Sequence, residues 1–243
     1  NDVIGQYQTI ENAYYNRGIV FMNENRNDEA LSDFNKTIEL KPDYPEAYIN
    51  RGLVFMNEKR IEEALNDFNK AIELKPDYTD AYYNRGNVLI NAKRNDEALN
   101  DFNKAIELNP DFAKAYNNRG IVFINEKRND EALKDFNKAI ELKPGYFDAY
   151  NNRGIVFMNE KRNDEALNDF NKAIELKPDY FDAYFNRGNL FMNAKRNDEA
   201  INDFNKAIEL KPEYADAYNN REILLNIKRD MKKPVQVKGA AMH

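Results

Sequence analysis

The polar residues of this chain that could do chemistry recur every 34 residues. One row of asparagines keeps that spacing along the chain: Asn16, Asn50, Asn84, Asn118, Asn152, Asn186 and Asn220. A carboxamide carries both a donor and an acceptor, so it can bond twice to a peptide backbone without reading its side chains. The row therefore predicts binding of a polypeptide. Coding bias followed by duplication of one segment is the alternative explanation.

A second pattern pairs each arginine with an aspartate sixteen residues later. The pairs are Arg17 with Asp33, Arg51 with Asp67, Arg85 with Asp101, Arg119 with Asp135, Arg153 with Asp169, and Arg187 with Asp203. A guanidinium can bind a carboxylate through two parallel hydrogen bonds, so we expect structural ion pairs. The alternative is that the row of arginines binds an acidic ligand. Arg221 has no aspartate sixteen residues later, which leaves its pairing with Asp203 of the preceding repeat open.

The composition argues against most catalytic and metal chemistry. The chain has no cysteine, which excludes disulfides, thiolate catalysis and zinc–thiolate sites. Its one histidine is the last residue, His243, where a tag is a better explanation than a catalytic base. The sequence shows no nucleophile–base pair, no phosphate-binding loop and no metal-ligand motif. We therefore expect neither enzymatic activity nor a cofactor.

Charge and hydropathy narrow the class of partner. The net charge of −6 argues against a nucleic-acid binder, which needs a basic face. No apolar run approaches the length of a membrane span, and no secretory signal is visible. The lack of cysteine is typical of a cytoplasmic protein. Since the chain begins at Asn1, an upstream signal stays open and the compartment is not predicted.

Each repeat is expected to contain two helices, and the second repeat shows how the first of them is built. Pro45 suits the first turn of a helix, with Asp43 as its N-cap. Tyr48, Gly52 and Phe55 follow at helical spacing and form one buried stripe. We expect the glycine to face an aromatic ring of the second helix, because a missing side chain leaves room for the ring.

The second helix of that repeat has an apolar side formed by Ala64, Phe68 and Ala71, and it ends before Pro76. In the other repeats this helix starts with Asn-Asp-Glu-Ala, as it does at Asn95. That start predicts an asparagine N-cap, followed by acids at the positive end of the helix dipole. A single repeat cannot bury its apolar side alone, so stability must come from stacking of the repeats.

The combined pattern resembles the tetratricopeptide repeat (TPR), whose spacing is kept by Tyr48, Gly52, Phe55, Ala64, Phe68, Ala71 and Pro76. Six repeats match, at 11–44, 45–78, 79–112, 113–146, 147–180 and 181–214. Two departures occur. Arginine replaces the family's usual leucine before the glycine, and lysine or asparagine replaces its usual glycine between the helices. The resemblance implies an all-α fold, a right-handed superhelical α-solenoid of TPR helix-turn-helix units.

The ends of the chain fall outside the six repeats. Residues 1–10 are a lead-in. Residues 215–232 begin like a seventh repeat, but Glu222 replaces the glycine and a second helix is missing, which predicts a polar-faced capping helix. Residues 233–243 are expected to form a flexible tail. The basic stretch from Arg229 to Lys238 could instead fold back into an acidic part of the groove, lined by Asp148, Asp182 and Asp216.

By the same resemblance, successive first helices line the inner, concave face, and the asparagine row lies there. A second row follows seven residues later, through Asn23, Asn57, Asn91, Asn125, Asn159 and Asn193. The two rows are similar to the asparagine ladder that holds extended polypeptide in the TPR superhelix of O-GlcNAc transferase. A third row falls on the outer face, which keeps the compositional explanation open: Asn35, Asn69, Asn103, Asn137, Asn171 and Asn205.

Residues beside this ladder vary between repeats and are the candidates for specificity. The candidate groove anchors are Tyr15, Ile49, Tyr83, Asn117, Asn151 and Phe185. Aromatic anchors commonly supply binding energy, but packing between neighbouring first helices would explain these residues equally well. At the positions that correspond to the lysine-rich carboxylate clamp of some TPR co-chaperones, Lys114 is the single basic residue. This argues against the lysine-rich carboxylate clamp by which some TPR co-chaperones hold acidic C-termini.

The function expected from these observations is a non-catalytic scaffold that binds an extended peptide or a helix of a partner protein in its concave groove. Two alternatives stay open. One is a self-associating structural protein whose similar ends stack on each other. The other is the TPR targeting domain of a larger enzyme. The acidic balance disfavours an RNA reader. Neither the partner nor the oligomeric state is predicted.

Overall fold

The computed structural model describes residues 10–231, and the regular structure within this range is entirely helical. The chain divides into two compact units after Arg128. The first unit contains α1 (Ile10–Asn23), α2 (Asn27–Leu40), α3 (Pro45–Asn57), α4 (Ile61–Leu74), α5 (Thr79–Asn91), α6 (Asn95–Leu108) and α7 (Ala113–Asn125). The second contains α8 (Asn129–Leu142), α9 (Phe147–Asn159), α10 (Asn163–Leu176), α11 (Phe181–Asn193), α12 (Asn197–Leu210) and α13 (Ala215–Met231).

Helices pack in consecutive pairs within each unit. In the first unit α1 packs against α2, α3 against α4, and α5 against α6. In the second unit α9 packs against α10, and α11 against α12. The second helix of each of these pairs also packs against the first helix that follows it, so the pairs form a continuous stack. The tandem helix-turn-helix organisation predicted from the repeat is confirmed.

A close approach between the two helices of a pair explains the recurring glycine. Gly52 is buried on α3 and faces Phe68 on α4, whose ring is fully buried. A Cβ atom added to Gly52 would lie 2.8 Å from Cε1 of Phe68, which is closer than carbon atoms pack. The same relationship recurs at Gly18, Gly86, Gly154 and Gly188. The missing side chain therefore lets the ring fill the space between the helices, as the sequence predicts.

The turn between the helices of a pair contains a residue in the left-handed region. Lys59 has a φ of 61°. The N–H of Lys59 donates to the carbonyl of Met56 at 3.0 Å, and the N–H of Arg60 donates to the carbonyl of Phe55 at 2.9 Å. These two bonds form a Schellman motif, in which glycine is the favoured residue at the left-handed position. The position is the one where lysine replaces the family's glycine, and it recurs at Asn25, Lys93, Lys127, Lys161 and Lys195.

Two N-cap predictions are wrong. The cap of α6 is Arg94, which makes no side-chain capping bond, and Asn95 is the first helical residue. The Schellman motif is the reason, because it uses the backbone of Arg94 to close the turn. The side chain of Arg94 instead binds Glu97 in the first turn and lowers the pKa of that carboxyl. Similarly, Tyr44 and not Asp43 occupies the cap of α3.

The helix α13 is less polar than the sequence predicts. Leu224 is buried, but Ile223 is 53% exposed and Ile227 is 42% exposed. The expectation of a polar-faced cap is therefore wrong for these two positions. No second helix follows α13 within the described residues, which end at Met231. The predicted tail and residues 1–9 of the predicted lead-in lie outside the described residues.

Candidate functional site

Adjacent first helices form the inner side of the stack within each unit. In the first unit α1 contacts α3, α3 contacts α5, and α5 contacts α7; in the second, α9 contacts α11 and α11 contacts α13. Second helices make no such contacts with one another in the described parts of each unit. A stack that is tighter on one side is concave on that side, so the first helices line a concave surface in each unit. We call these surfaces the first-helix faces.

The first asparagine row lies on the first-helix faces and is largely engaged in bonds between repeats. Nδ2 of Asn50 donates to the hydroxyl of Tyr15 at 2.8 Å. Nδ2 of Asn118 donates to the hydroxyl of Tyr83 at 3.1 Å and to Oδ1 of Asn87 at 2.7 Å. The Nδ2 donors of Asn50 and Asn118 are therefore both bonded to side chains of the preceding first helix.

The second unit repeats this arrangement with asparagines as acceptors. Nδ2 of Asn186 donates to Oδ1 of Asn151 at 2.9 Å. Nδ2 of Asn220 donates to Oδ1 of Asn189 at 2.8 Å. Sequence reasoning missed this role, although the signal is present. Each of the four asparagines described so far has a polar residue 35 or 31 positions earlier in the sequence.

The other ladder residues vary in exposure. Asn16 lies on the first described helix and is exposed, whereas Asn152 is partly buried. Asn84 is partly buried, and among the described residues none hydrogen-bonds to its side chain. The side chains of the first row therefore differ in their environment, although all of them are asparagines.

The second asparagine row also lies on the first-helix faces, where it is exposed to solvent. Its members are all exposed: Asn57, Asn91, Asn125, Asn159, Asn23 and Asn193. None of these side chains makes a hydrogen bond within the described chain. Each lies seven residues after a ladder asparagine, which corresponds to about 10 Å along a helix. The first-helix faces therefore present exposed donor–acceptor groups.

The predicted groove anchors divide into two groups. Ile49, Asn117 and Asn151 are buried, with at most 5% exposure, so they pack between helices and are not presented to a ligand. Tyr83 is partly buried and accepts the bond from Asn118. Packing between helices therefore accounts for the three buried candidates. The three partly buried aromatic residues stay candidates for contact with a ligand.

The other two aromatic candidates have rings packed against neighbouring rings. The ring of Tyr15 lies 4.9 Å from that of Tyr44, and burial raises the pKa of Tyr15 to about 12. The ring of Phe185 lies 4.8 Å from that of Tyr214 and 5.8 Å from that of Phe204. These residues are held in place by their neighbours while part of each side chain remains accessible.

The recurring arginines form bonds within a repeat and between repeats, and Arg51 forms both. Nε and Nη2 of Arg51 donate to the two carboxylate oxygens of Asp67 at 2.8 and 2.7 Å. Nη1 of the same arginine donates to Oδ1 of Asn35, in the preceding repeat, at 2.6 Å. Bidentate pairs to the aspartate sixteen residues later also form at Arg17, Arg85, Arg153 and Arg187.

The third asparagine row accepts these arginine bonds. Arg85, Arg119, Arg153 and Arg187 donate through Nη1 to Asn69, Asn103, Asn137 and Asn171. Arg221 donates to Asn205 at 2.9 Å, and its buried Nε has no partner within the described residues. The bond between repeats that the sequence left open for Arg221 is thus made to an asparagine. Arg119 and Asp135 belong to different units, and their pairing stays a prediction.

Two features are absent from the part of the chain that the structure describes. Residues 10–231 contain no group of three or more histidine, cysteine, aspartate or glutamate side chains that could hold a metal ion. No helix in the same range is both long enough and apolar enough to cross a membrane.

Comparison with known families agrees with this geometry. The family model described as "Tetratricopeptide repeat" matches residues 11–44, 79–112, 113–146 and 181–214. A second one, described as "TPR repeat", matches residues 55–92 and 157–195. No curated protein sequence matches the chain at a significant level.

Several solved structures are similar to this chain. YrrB, described as "a TPR protein with an unusual peptide-binding site", is 28% identical, with a TM-score of 0.58 over 81% of this chain and 97% of that chain. MamA is 25% identical, with a TM-score of 0.61 over 71% of this chain and 97% of that chain. The pilF protein of Pseudomonas aeruginosa is 18% identical and shares the fold, with a TM-score of 0.76 over 89% of this chain and 97% of that chain.

Proposed function

This chain belongs to the tetratricopeptide repeat family, and we propose that it is a non-catalytic scaffold that binds an extended peptide or a helix of a partner protein on its first-helix faces. The observation that carries the proposal is the exposed second asparagine row on a concave surface. Concave surfaces are what repeat proteins of this type commonly use for binding.

Two further observations support a peptide ligand. The carboxamides of Asn57, Asn91 and Asn125 are exposed and make no hydrogen bond within the described chain, so binding breaks no existing contact. YrrB, which is similar to this chain, is described as having a peptide-binding site. An amide that both donates and accepts is suited to a polypeptide main chain, which offers the same two groups.

A peptide-library experiment tests the proposal. Peptides of twelve residues displayed on phage are selected against the full chain, and enriched sequences are synthesised with a fluorescein label. The variant Asn57→Ala/Asn91→Ala/Asn125→Ala is expected to bind a selected peptide about 100-fold more weakly, since each lost hydrogen bond contributes about 1 kcal/mol.

The matched control is Asn66→Ala/Asn100→Ala, which removes exposed carboxamides from α4 and α6. This control is expected to bind as the wild type does, because the second helices lie outside the first-helix faces. Failure to enrich any peptide, or equal binding by the triple variant, would contradict the proposal.

Self-association is the second candidate, and one observation favours it. Ile223 and Ile227 are exposed on α13 and, with Met192, line a shallow apolar pocket. A second copy could cover this patch. Analytical ultracentrifugation between roughly 1 and 100 μM tests for self-association, because this range covers micromolar dissociation constants. A mass that rises with concentration and stays monomeric in Ile223→Ser/Ile227→Ser would support self-association, whereas a constant monomer mass would exclude it.

A further inference from the structure

One side of α13 faces no second helix within the described residues. It carries Tyr218, Arg221, Glu222 and Leu225, which stand 34 residues after the positions by which α11 packs against α12. We call this surface the unpaired side of α13. We infer that it binds a helix of a partner protein, and that this helix carries a carboxylate opposite Arg221 and a small residue opposite Glu222.

Apolar side chains on the unpaired side are less covered than their equivalents in the preceding repeat. Phe191 of α11 is 8% exposed and lies in a cluster with Ala200 and Phe204 of α12. Leu225, its equivalent on α13, is only partly buried, and Tyr218 is 39% exposed. The surface therefore continues the interface of the helix pairs, but lacks the helix that covers it elsewhere.

Arg221 lacks the acceptor that the matching arginine of α11 has. Nε and Nη2 of Arg187 donate to the two carboxylate oxygens of Asp203, both at 2.7 Å. Nη1 of Arg221 donates to Asn205, but its Nε is buried and has no partner among the described residues. A buried donor without an acceptor costs free energy, and a carboxylate is the group that binds Nε and Nη2 together. The missing partner is therefore an acid.

This chain does not offer that acid from the equivalent positions or from its last residues. Residues 232–243 contain no aspartate and no glutamate. The aspartates that bind arginines in this way elsewhere are each held by the arginine of their own repeat: Asp33, Asp67, Asp101, Asp169 and Asp203. A second copy would have to break such a pair to supply one of them. The acid is therefore assigned to a different protein.

Glu222 restricts which helix can approach. Its position corresponds to Gly188, where an added Cβ would lie 2.7 Å from Cε1 of Phe204. Every second helix of this chain has phenylalanine directly after the arginine-binding aspartate, so such a helix would place its ring on the Glu222 side chain. A small residue at this point avoids the overlap. Arg229 lies 3.5 Å from the Glu222 carboxylate and balances its charge beside the incoming acid.

A stapled helical peptide tests the inference. The probe, called the alanine peptide, has the sequence of residues 197–210 with Phe204→Ala, a fluorescein label and a hydrocarbon staple, because isolated helices of this length are marginal in water. Fluorescence anisotropy with the full chain measures its affinity. Arg221→Leu is expected to weaken binding roughly tenfold or more, because the charge-assisted hydrogen bonds are lost. Asp203→Ala in the peptide should have the same effect, and the two changes together should cost no more than either alone.

Replacement of Glu222 provides an exchange of specificity. The wild type is expected to bind the alanine peptide more tightly than the parent peptide, which keeps the phenylalanine. Glu222→Gly restores the glycine of the other repeats and is expected to reverse this preference, because the ring then has space. Ile227→Ser is the matched control. Ile227 is exposed on another side of α13, so its replacement should change neither affinity.

The outcomes also separate this inference from the proposed function. No binding of the alanine peptide up to about 1 mM, or equal binding by wild type and Arg221→Leu, would overturn the inference. Tighter binding of the parent peptide by the wild type would assign the surface to a second copy of this chain instead. The Asn57→Ala/Asn91→Ala/Asn125→Ala variant is expected to bind the alanine peptide as the wild type does. Weaker binding by this variant would place the peptide on the first-helix faces, which supports the proposed function and contradicts a site on α13.

Discussion

Nη1 of Arg51 donates a hydrogen bond of 2.6 Å to Oδ1 of Asn35, which lies sixteen residues earlier on the second helix of the preceding repeat. The same guanidinium binds Asp67, sixteen residues later, on the second helix of its own repeat. One arginine thus connects two second helices through the first helix between them. The leucine usual in the family at this position could pack there, but it could make neither bond.

Replacement of Arg85 by leucine is expected to lower the free energy of unfolding by about 3 kcal/mol, because it leaves the carboxylate of Asp101 buried without a cation. The double variant Arg85→Leu/Asp101→Leu is expected to recover most of that loss, since an apolar pair of similar size can replace a buried ion pair. Urea unfolding at pH 7 measures both variants. A single variant as stable as the wild type would show that the ion pair contributes nothing.

The bond between Arg85 and Asn69 is expected to couple the two repeats. Asn69→Ala should lower the free energy of unfolding by about 1 kcal/mol in the wild type. The same substitution should have almost no effect in Arg85→Leu, because the donor is already gone. A double-mutant cycle from urea unfolding measures the coupling. Equal effects of Asn69→Ala in both backgrounds would contradict a direct interaction.

Substitution of Lys93 by glycine is expected to stabilise the protein. Lys93 has a φ of 59°, which costs a residue with a side chain about 1–2 kcal/mol. Glycine removes this cost but gains entropy in the unfolded chain, so the expected net gain is about 0.5–1 kcal/mol. Lys93→Asn should fall between the two, and Lys93→Ala should show no gain. Thermal unfolding followed by circular dichroism ranks the variants; a destabilised glycine variant would contradict the argument.

Enlargement of Gly86 by a single methyl group is expected to destabilise the first unit by about 1–3 kcal/mol. The added Cβ would lie 2.8 Å from Cε1 of Phe102, whose ring cannot move away because it is fully buried. Gly145→Ala is the matched control, since an added Cβ there meets nothing within 4 Å. Gly86→Ala/Phe102→Leu should recover part of the loss. Calorimetric unfolding temperatures decide the outcome, and equal temperatures for the two single variants would refute it.

Tyr15 is expected to ionise late, because burial raises its pKa from 10.0 to about 12. The folded protein then binds the phenolic proton more tightly than the unfolded chain does. The corresponding stability is present below pH 10 and is lost as the pH rises through 12. The ¹³Cζ resonance of labelled tyrosine, assigned with Tyr15→Phe, reports the titration. A midpoint near 10 would show that the ring is accessible to water.

Much of the fold could be predicted from the sequence because it depends on spacing alone. The helix pairs, the contact of Gly52 with Phe68 and the partners of the arginine–aspartate pairs all follow from fixed separations within one repeat. The N-caps could not be predicted in this way. The backbone of Arg94 forms part of the Schellman motif, so Asn95 is the first residue of the helix and not its cap. The sequence Asn-Asp-Glu-Ala, considered without the preceding turn, does not reveal this.

The contacts between repeats were harder to predict. Asn35 falls on the outer face, where its recurrence suggested compositional bias, and its partner is an arginine of the next repeat. The asparagines of the first row look identical in the sequence, yet the hydrogen bonds of Asn50 and Asn118 depend on residues more than thirty positions earlier. Only the stacked arrangement shows that Ile49 and Leu53 leave Asn84 without a partner.

The recurrence of one interface also makes the number of repeats adjustable. Arg85 bonds to Asn69, and Arg119 bonds to Asn103 in the same way. Removal of residues 79–112, a whole repeat, would bring Arg119 next to Asn69 and recreate a contact that the protein already contains. Recombination between repeats can therefore lengthen or shorten the array and still form the same junction, whereas a loss that is not a whole number of repeats would misalign the arginine with its asparagine.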